Sequence, residues 1–138
     1  MEKKSSKVSG AGFLIFKKDT LGSKTPMMLA LVRDDGLLDI PKGTIDSGED
    51  SLTAAKRECF EECSIVINDE DILFSGNSHV NGQLEVFSAV TDQEPLITVN
   101  PHSGILEHVD FLWTTEHDFC SRCLPYLIPA TNHFYSSH

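Results

Sequence analysis

The chain is expected to fold as an α/β (α+β) protein, a sandwich of about three layers, and three observations carry that expectation. Apolar runs of strand length recur along the chain, bounded by Gly, Pro and Asp. One long segment, residues 51–63, repeats its apolar residues at steps of three and four, the period of a helix lying on a core. Residues 83–90 (Gln-Leu-Glu-Val-Phe-Ser-Ala-Val) alternate only partly, as a strand covered on both faces does.

In chain order, residues 8–17 read as a strand, with Gly10 and Gly12 marking close backbone approach. Residues 18–26 are turn-rich. A second strand over 27–33 ends at Asp34-Asp35-Gly36, a strong turn signal, and a short strand over 37–40 is stopped by Pro41. A loop runs to Asp50, and Asp50 or Ser51 caps the helix over 51–63, whose core stripe is Leu52, Ala55, Cys59 and Cys63 with its glutamates pointing away. Residues 72–75, 83–90 and 109–113 read as strands. Thr114 or Thr115 caps a helix over 116–124, broken by Pro125, and a last short helix covers 129–134.

At 138 residues the chain has the length of one domain, taken as 1–138, with no repeat or linker. Its net charge of −10 disfavours a broad nucleic-acid interface, and Lys3, Lys4 and Lys7 supply the only basic run. The polar first ten residues and the six-residue apolar run after them are too short for a signal-peptide core or a membrane span, so a cytoplasmic location and reduced thiols are expected. Cys59, Cys63, Cys120 and Cys123 offer four thiols to a structural zinc, but the first pair continues an apolar helix stripe and no Gly-rich knuckle follows either pair. Buried thiols are therefore the favoured reading.

The chemistry is concentrated between Gly43 and Ile65, where Glu49, Glu58, Glu61 and Glu62 crowd a loop and the helix after it. Spacings of three and four put Glu58, Glu61 and Glu62 within about one turn, where like charges repel by a few tenths of a kcal/mol per pair. A divalent cation turns that cost into a benefit.

This segment resembles the Nudix box, Gly-x5-Glu-x7-Arg-Glu-U-x-Glu-Glu-x-Gly-U, with U a bulky aliphatic residue. Gly43, Glu49, Arg57, Glu58, Glu61, Glu62 and Ile65 stand at the required spacings, Cys59 takes the first U, and Ser64 replaces the final Gly. The resemblance implies a Nudix-type α/β/α sandwich with a mixed central sheet, and magnesium-dependent hydrolysis (manganese a substitute) of a nucleoside diphosphate linked to another group. It implies Glu61 and Glu62 as metal ligands, Glu58 as ligand or base, and the Lys42 carbonyl as a further ligand. Arg57 is implied to pair with the box carboxylates, Glu49 first, to hold loop against helix. The family's Gly ends the helix, and serine in that left-handed conformation costs on the order of 1 kcal/mol.

Residues 40–50, Ile-Pro-Lys-Gly-Thr-Ile-Asp-Ser-Gly-Glu-Asp, are similar to the opening shared by diadenosine tetraphosphate hydrolases and their relatives. Glu107-His108-Val109-Asp110-Phe111-Leu112-Trp113 resembles a Glu-His-x-x-aromatic-x-Trp segment of the same group. On that likeness Glu107 is a fourth carboxylate, for metal or water, and Lys42 and His108 are candidates to contact substrate phosphate. Many relatives carry Trp where this chain has Leu38, leaving Phe74, His79, Phe87, Phe111 and Tyr135 as conceivable partners for a base. The expected substrate is thus a small nucleotide, a dinucleoside polyphosphate first. The alternatives are an RNA 5′ end, losing pyrophosphate or a cap, and a nucleotide-sensing module with weak turnover. Oligomeric state is not legible.

Overall fold

The computed structural model describes residues 8–99 and 104–137, so the basic run at Lys3, Lys4 and Lys7 lies outside the described residues. Among the described residues seven strands form one mixed sheet: β1 (Gly10–Lys17), β2 (Met28–Val32), β3 (Leu38–Asp39), β4 (Lys42–Thr44), β5 (His79–Asn81), β6 (Leu84–Thr91) and β7 (Asp110–Thr114). Its main path runs β3-β2-β1-β6-β5, with β4 paired to β1 and β7 to β2. β1 and β6 are parallel over Gly10 to Lys17, and every other pair is antiparallel.

The central strands are covered on both faces, and their alternation sorts side chains into two cores. Ala11, Phe13 and Ile15 of β1 join Leu29, Leu31, Phe87 and Ala89 beneath α1 (Ser51–Cys63), which contributes Ala54, Ala55, Cys59 and Cys63. Leu14 and Phe16 face the other way, with Met28, Ala30 and Val86, toward α2 (Glu116–Arg122) and α3 (Ile128–Ser136), represented by Phe119, Ala130 and Phe134. These are the three expected layers.

Caps follow the sequence closely. The Asp50 side chain accepts from Thr53 N–H at 2.8 Å to start α1, and the Thr115 hydroxyl accepts from Asp118 N–H at 3.2 Å to start α2. α2 stops at Arg122, two residues short of the expected end, and α3 extends one residue earlier and two later than expected.

Four expectations need correction. No strand forms over residues 72–75: Ile72 makes one isolated bridge to Ala89 just after a 3₁₀ turn at Asp69–Asp71, and Phe74–Gly76 form a second 3₁₀ turn. Phe74 and Ser75 both sit at φ 56°, a left-handed backbone that ends extended structure whatever the β propensity of the side chains. Residues 42–44, expected as loop, pair with β1 as β4, and β5 forms where no strand was expected. Of the two glycines in β1, Gly12 is the one the fold requires: a Cβ there would lie 2.5 Å from the Pro41 carbonyl oxygen, whereas at Gly10 the nearest atoms stay at 3.4 Å. Finally, the α1 glutamates do not all point away from the core, since Glu58 and Glu62 are 8% and 4% exposed, while Leu52 is only partly buried.

A candidate metal and nucleotide site

β1 carries β4 against the start of the box, and α1 packs across both strands, so Lys42 and Gly43 come to lie beside Glu58 and Glu62. A Cβ on Gly43 would overlap the Glu58 carboxylate, so the box opens with glycine because a carboxylate occupies the space of any larger side chain.

Arg57 binds the loop to the helix. Its Nε and Nη2 donate to Glu49 Oε2 and Oε1 at 2.8 and 3.0 Å, and Nη2 also donates to the Thr44 carbonyl at 2.9 Å. Nη1 donates to Glu58 Oε2 at 3.0 Å and, less closely, to Glu61 Oε1 at 3.4 Å. The fork explains why Glu49 is held down to about 2, by the Arg57 hydrogen bonds and then by the Asp46 N–H, and why Arg57 is held above its usual range, chiefly by Glu49.

Opposite this network stands a second one, which joins Lys42 and His108, both expected at the site, to Asp39, which was not. Asp39, 3% exposed on β3, accepts from Ile40 N–H at 2.8 Å and Lys42 Nζ at 3.2 Å, and its Oδ2 lies 3.1 Å from His108 Nε2. Burial works against its charge, but the His108 hydrogen bond and the Lys42 ammonium outweigh it and keep the carboxyl below its ordinary value. Lys42 is not an ordinary exposed lysine, since its ammonium lies against Asp39 and 5.8 Å from the centre of the Tyr126 ring. His108 is 5% exposed, with Nδ1 3.8 Å from Glu62 Oε1, so both ring nitrogens face carboxylates inside the wall. The signal for Asp39 was present in the sequence: an acid inside Leu37-Leu38-Asp39-Ile40 must either face water or find buried partners.

Arg33, Asp34, Asp39, Lys42, Glu107 and His108 line a polar cavity of about 220 Å³, placing Glu107 beside Lys42 at the edge of the carboxylate cluster. Glu62 is pushed up to about 10, first by burial, then by the charge and hydrogen bond of Glu58 and the charge of Glu107. Glu58 is raised as well, mainly by burial. Two carboxyls buried one helical turn apart suit a divalent cation, and all their donor atoms are hard oxygens of the kind magnesium prefers. Among the described residues no three His, Cys, Asp or Glu side chains are already gathered as a ligand cage, because Glu58 and Glu61 turn to Arg57 and Glu62 to the Lys42 N–H, which donates at 3.4 Å.

Zinc does not fit the thiols. Cys59 and Cys63 are buried beneath α1, whereas Cys123 belongs to the core on the other face of the sheet. The residues considered for base stacking are mostly structural: Phe87 is in the α1 core, Phe74 stacks on Phe134, and Tyr135 packs on Phe16. Leu38, where many relatives carry Trp, is 1% exposed.

Ser64 adopts the left-handed conformation (φ 63°, ψ 20°) and its N–H closes α1 on the Phe60 carbonyl at 2.9 Å. The substitution for glycine therefore leaves the helix end in the shape that glycine favours.

The family model for the NUDIX domain matches residues 10–123, most of the chain. The chain belongs to the Nudix family. As a Nudix protein it is a hydrolase acting on phosphoanhydride bonds. Solved structures of similar fold include the C. elegans Ap4A hydrolase binary complex, at 20% identity and TM-score 0.68, covering 92% of this chain and 96% of that one. A MutT protein from Methanosarcina mazei Go1 is similar at 16% identity and TM-score 0.68, with 94% of each chain covered. The E. coli dihydroneopterin triphosphate pyrophosphohydrolase is similar at 16% and 0.68, covering 94% of this chain and 95% of that one. No curated protein matches the chain. At these identities the likeness establishes the shared fold, and Nudix neighbours with differently named substrates share it equally well.

Proposed function

We propose that this Nudix hydrolase, acting as one domain in the cytoplasm, cleaves a nucleoside diphosphate linked to another group, with a dinucleoside polyphosphate of the diadenosine tetraphosphate kind as substrate and magnesium as cofactor. The observation that carries the reading is the buried Glu58–Glu62 pair at the Gly43 contact, with Lys42 and Glu107 beside it. Glu58, Glu61, Glu62, Glu107 and the Lys42 carbonyl would hold the metal. Bound there, magnesium would neutralise phosphate charge and make a water nucleophilic near neutral pH.

The chain's own groups complete the reaction. Arg57 ties Glu49, Glu58 and Glu61 together at the mouth of the box loop and limits where their carboxylates can go. The Lys42 ammonium, anchored by Asp39, offers positive charge to a substrate phosphate. Glu58 and Glu107 are the carboxylates available to take a proton from water. Preference for a dinucleotide rests on the Pro41-Lys42-Gly43 and Glu107-to-Trp113 segments, and the net charge of −10 weighs against an RNA 5′ end.

The test offers diadenosine tetraphosphate, nucleoside triphosphates, nucleotide sugars and triphosphorylated RNA, each with Mg²⁺ or Mn²⁺. Turnover is expected to be strongest on the dinucleotide and to fall at least about a hundredfold in Glu61→Gln. Preference for RNA overturns the substrate, and unchanged turnover in the variant removes Glu61 from the site.

A further inference from the structure

We propose that Asp39 and His108 act together as positioning residues for Glu62, fixing its carboxylate in the orientation that accepts a divalent cation. The inference rests on the metal site proposed above and adds two residues lying outside the box. Asp39, Lys42, Glu62 and His108 form a closed circuit: Asp39 to Lys42 Nζ at 3.2 Å, Lys42 N–H to Glu62 Oε1 at 3.4 Å, Glu62 Oε1 to His108 Nδ1 at 3.8 Å, and His108 Nε2 to Asp39 Oδ2 at 3.1 Å. A carboxylate bonded to one nitrogen of an imidazole fixes the plane of the ring, and the other nitrogen then aims at whatever it faces. Here that is Glu62.

Two simpler roles explain less. If Asp39 served only to neutralise Lys42, it would have no need of an imidazole, and placing a ring at 5% exposure between two buried carboxylates would be a costly way to fill a core. If His108 served to bind substrate phosphate, one ring nitrogen should be turned to solvent, yet both face carboxylates. The remaining role is mechanical. β3 supplies Asp39 and the segment leading into β7 supplies Glu107 and His108; β3 and β7 are both held by β2, so the two edge strands clamp the end of α1 through one ring.

The experiment measures Mn²⁺ affinity at one fixed pH, by electron paramagnetic resonance of the free ion, for the wild type, Asp39→Asn, His108→Gln and the double variant. Thermal unfolding in EDTA runs alongside. Each single change is expected to weaken Mn²⁺ binding by about tenfold or more, the scale typical of outer-sphere partners. The double variant is expected to be no weaker than the worse single one, because both cut the same strut. Unchanged affinity in the folded single variants overturns the proposal, and so do losses that multiply in the double. If Asp39→Asn fails to fold, His108→Gln decides alone by the same criterion. A wild type that binds no Mn²⁺ sinks the metal site along with this inference, a result distinct from bound metal with indifferent variants.

Discussion

Arg57 finds all its partners (Thr44, Asp46, Glu49, Glu58 and Glu61) within residues 44–61, whereas Asp39 closes its circuit through His108, 69 residues further along. Arg57 holds Glu49, Glu58 and Glu61 from the loop side, and the Asp39 circuit holds Glu62 from the sheet side. The first is made by a loop folding back on the helix that follows it, so its geometry is written as fixed spacings. The second exists only after β2 has paired with both β3 and β7, and no spacing records it. One candidate site can thus be locally encoded on one flank and tertiary on the other.

The largest effect is expected where the local network is tightest. In Gly43→Ala the added methyl meets the Glu58 carboxylate, which should destabilise the fold by about 1–3 kcal/mol. Turnover should fall on the order of a hundredfold, as displaced catalytic groups cause. Chemical denaturation and steady-state rates measure both, and a variant with wild-type values would show that the two sides are not in register through this contact. Next comes Arg57→Lys, which keeps the charge but loses the fork to Glu49. About tenfold lower turnover is expected, and full activity would mean that charge alone, without bidentate geometry, organises the loop.

A smaller, graded effect separates the flanks by pH. Glu62 is raised from about 4.5 to about 10, by burial first and by Glu58 next, so it keeps its proton at neutral pH in the metal-free fold. A folded value above the unfolded one gives stability that is complete below about 4.5 and is lost as the pH climbs toward 10. Melting temperatures of metal-free protein should decline across that window, and Mg²⁺ should flatten the decline by replacing the proton. A flat profile without metal would mean that Glu62 ionises freely. The smallest effect is Ser64→Gly: removing left-handed strain, partly offset by a more flexible unfolded chain, should stabilise by about 0.5–1 kcal/mol with turnover unchanged.

What could be read in advance follows the same division. The apolar runs that become β1, β2 and β6, the Asp50 cap and the spacing from Gly43 to Ile65 are short-range properties, and the structure realises the elements they describe. The apolar run Ile72-Leu73-Phe74 reads as a strand, yet Phe74, Ser75 and Gly76 all take positive φ, and Phe74 stacks on Phe134. β4 and β5, three residues each, carry too few side chains to show a period. The apolar run around Asp39 signals only that its carboxyl needs partners; which groups supply them is set by which strands become neighbours, a property of the whole sheet.

The sheet also sorts the sulfur chemistry of the molecule. Cys59, Cys63 and Cys123 are sealed within the two cores, and Cys120 on α2 retains partial access to solvent. A maleimide dye would therefore attach at a single address on the layer behind the carboxylates, giving a fluorescent reporter of how the back of the protein responds when its front is loaded.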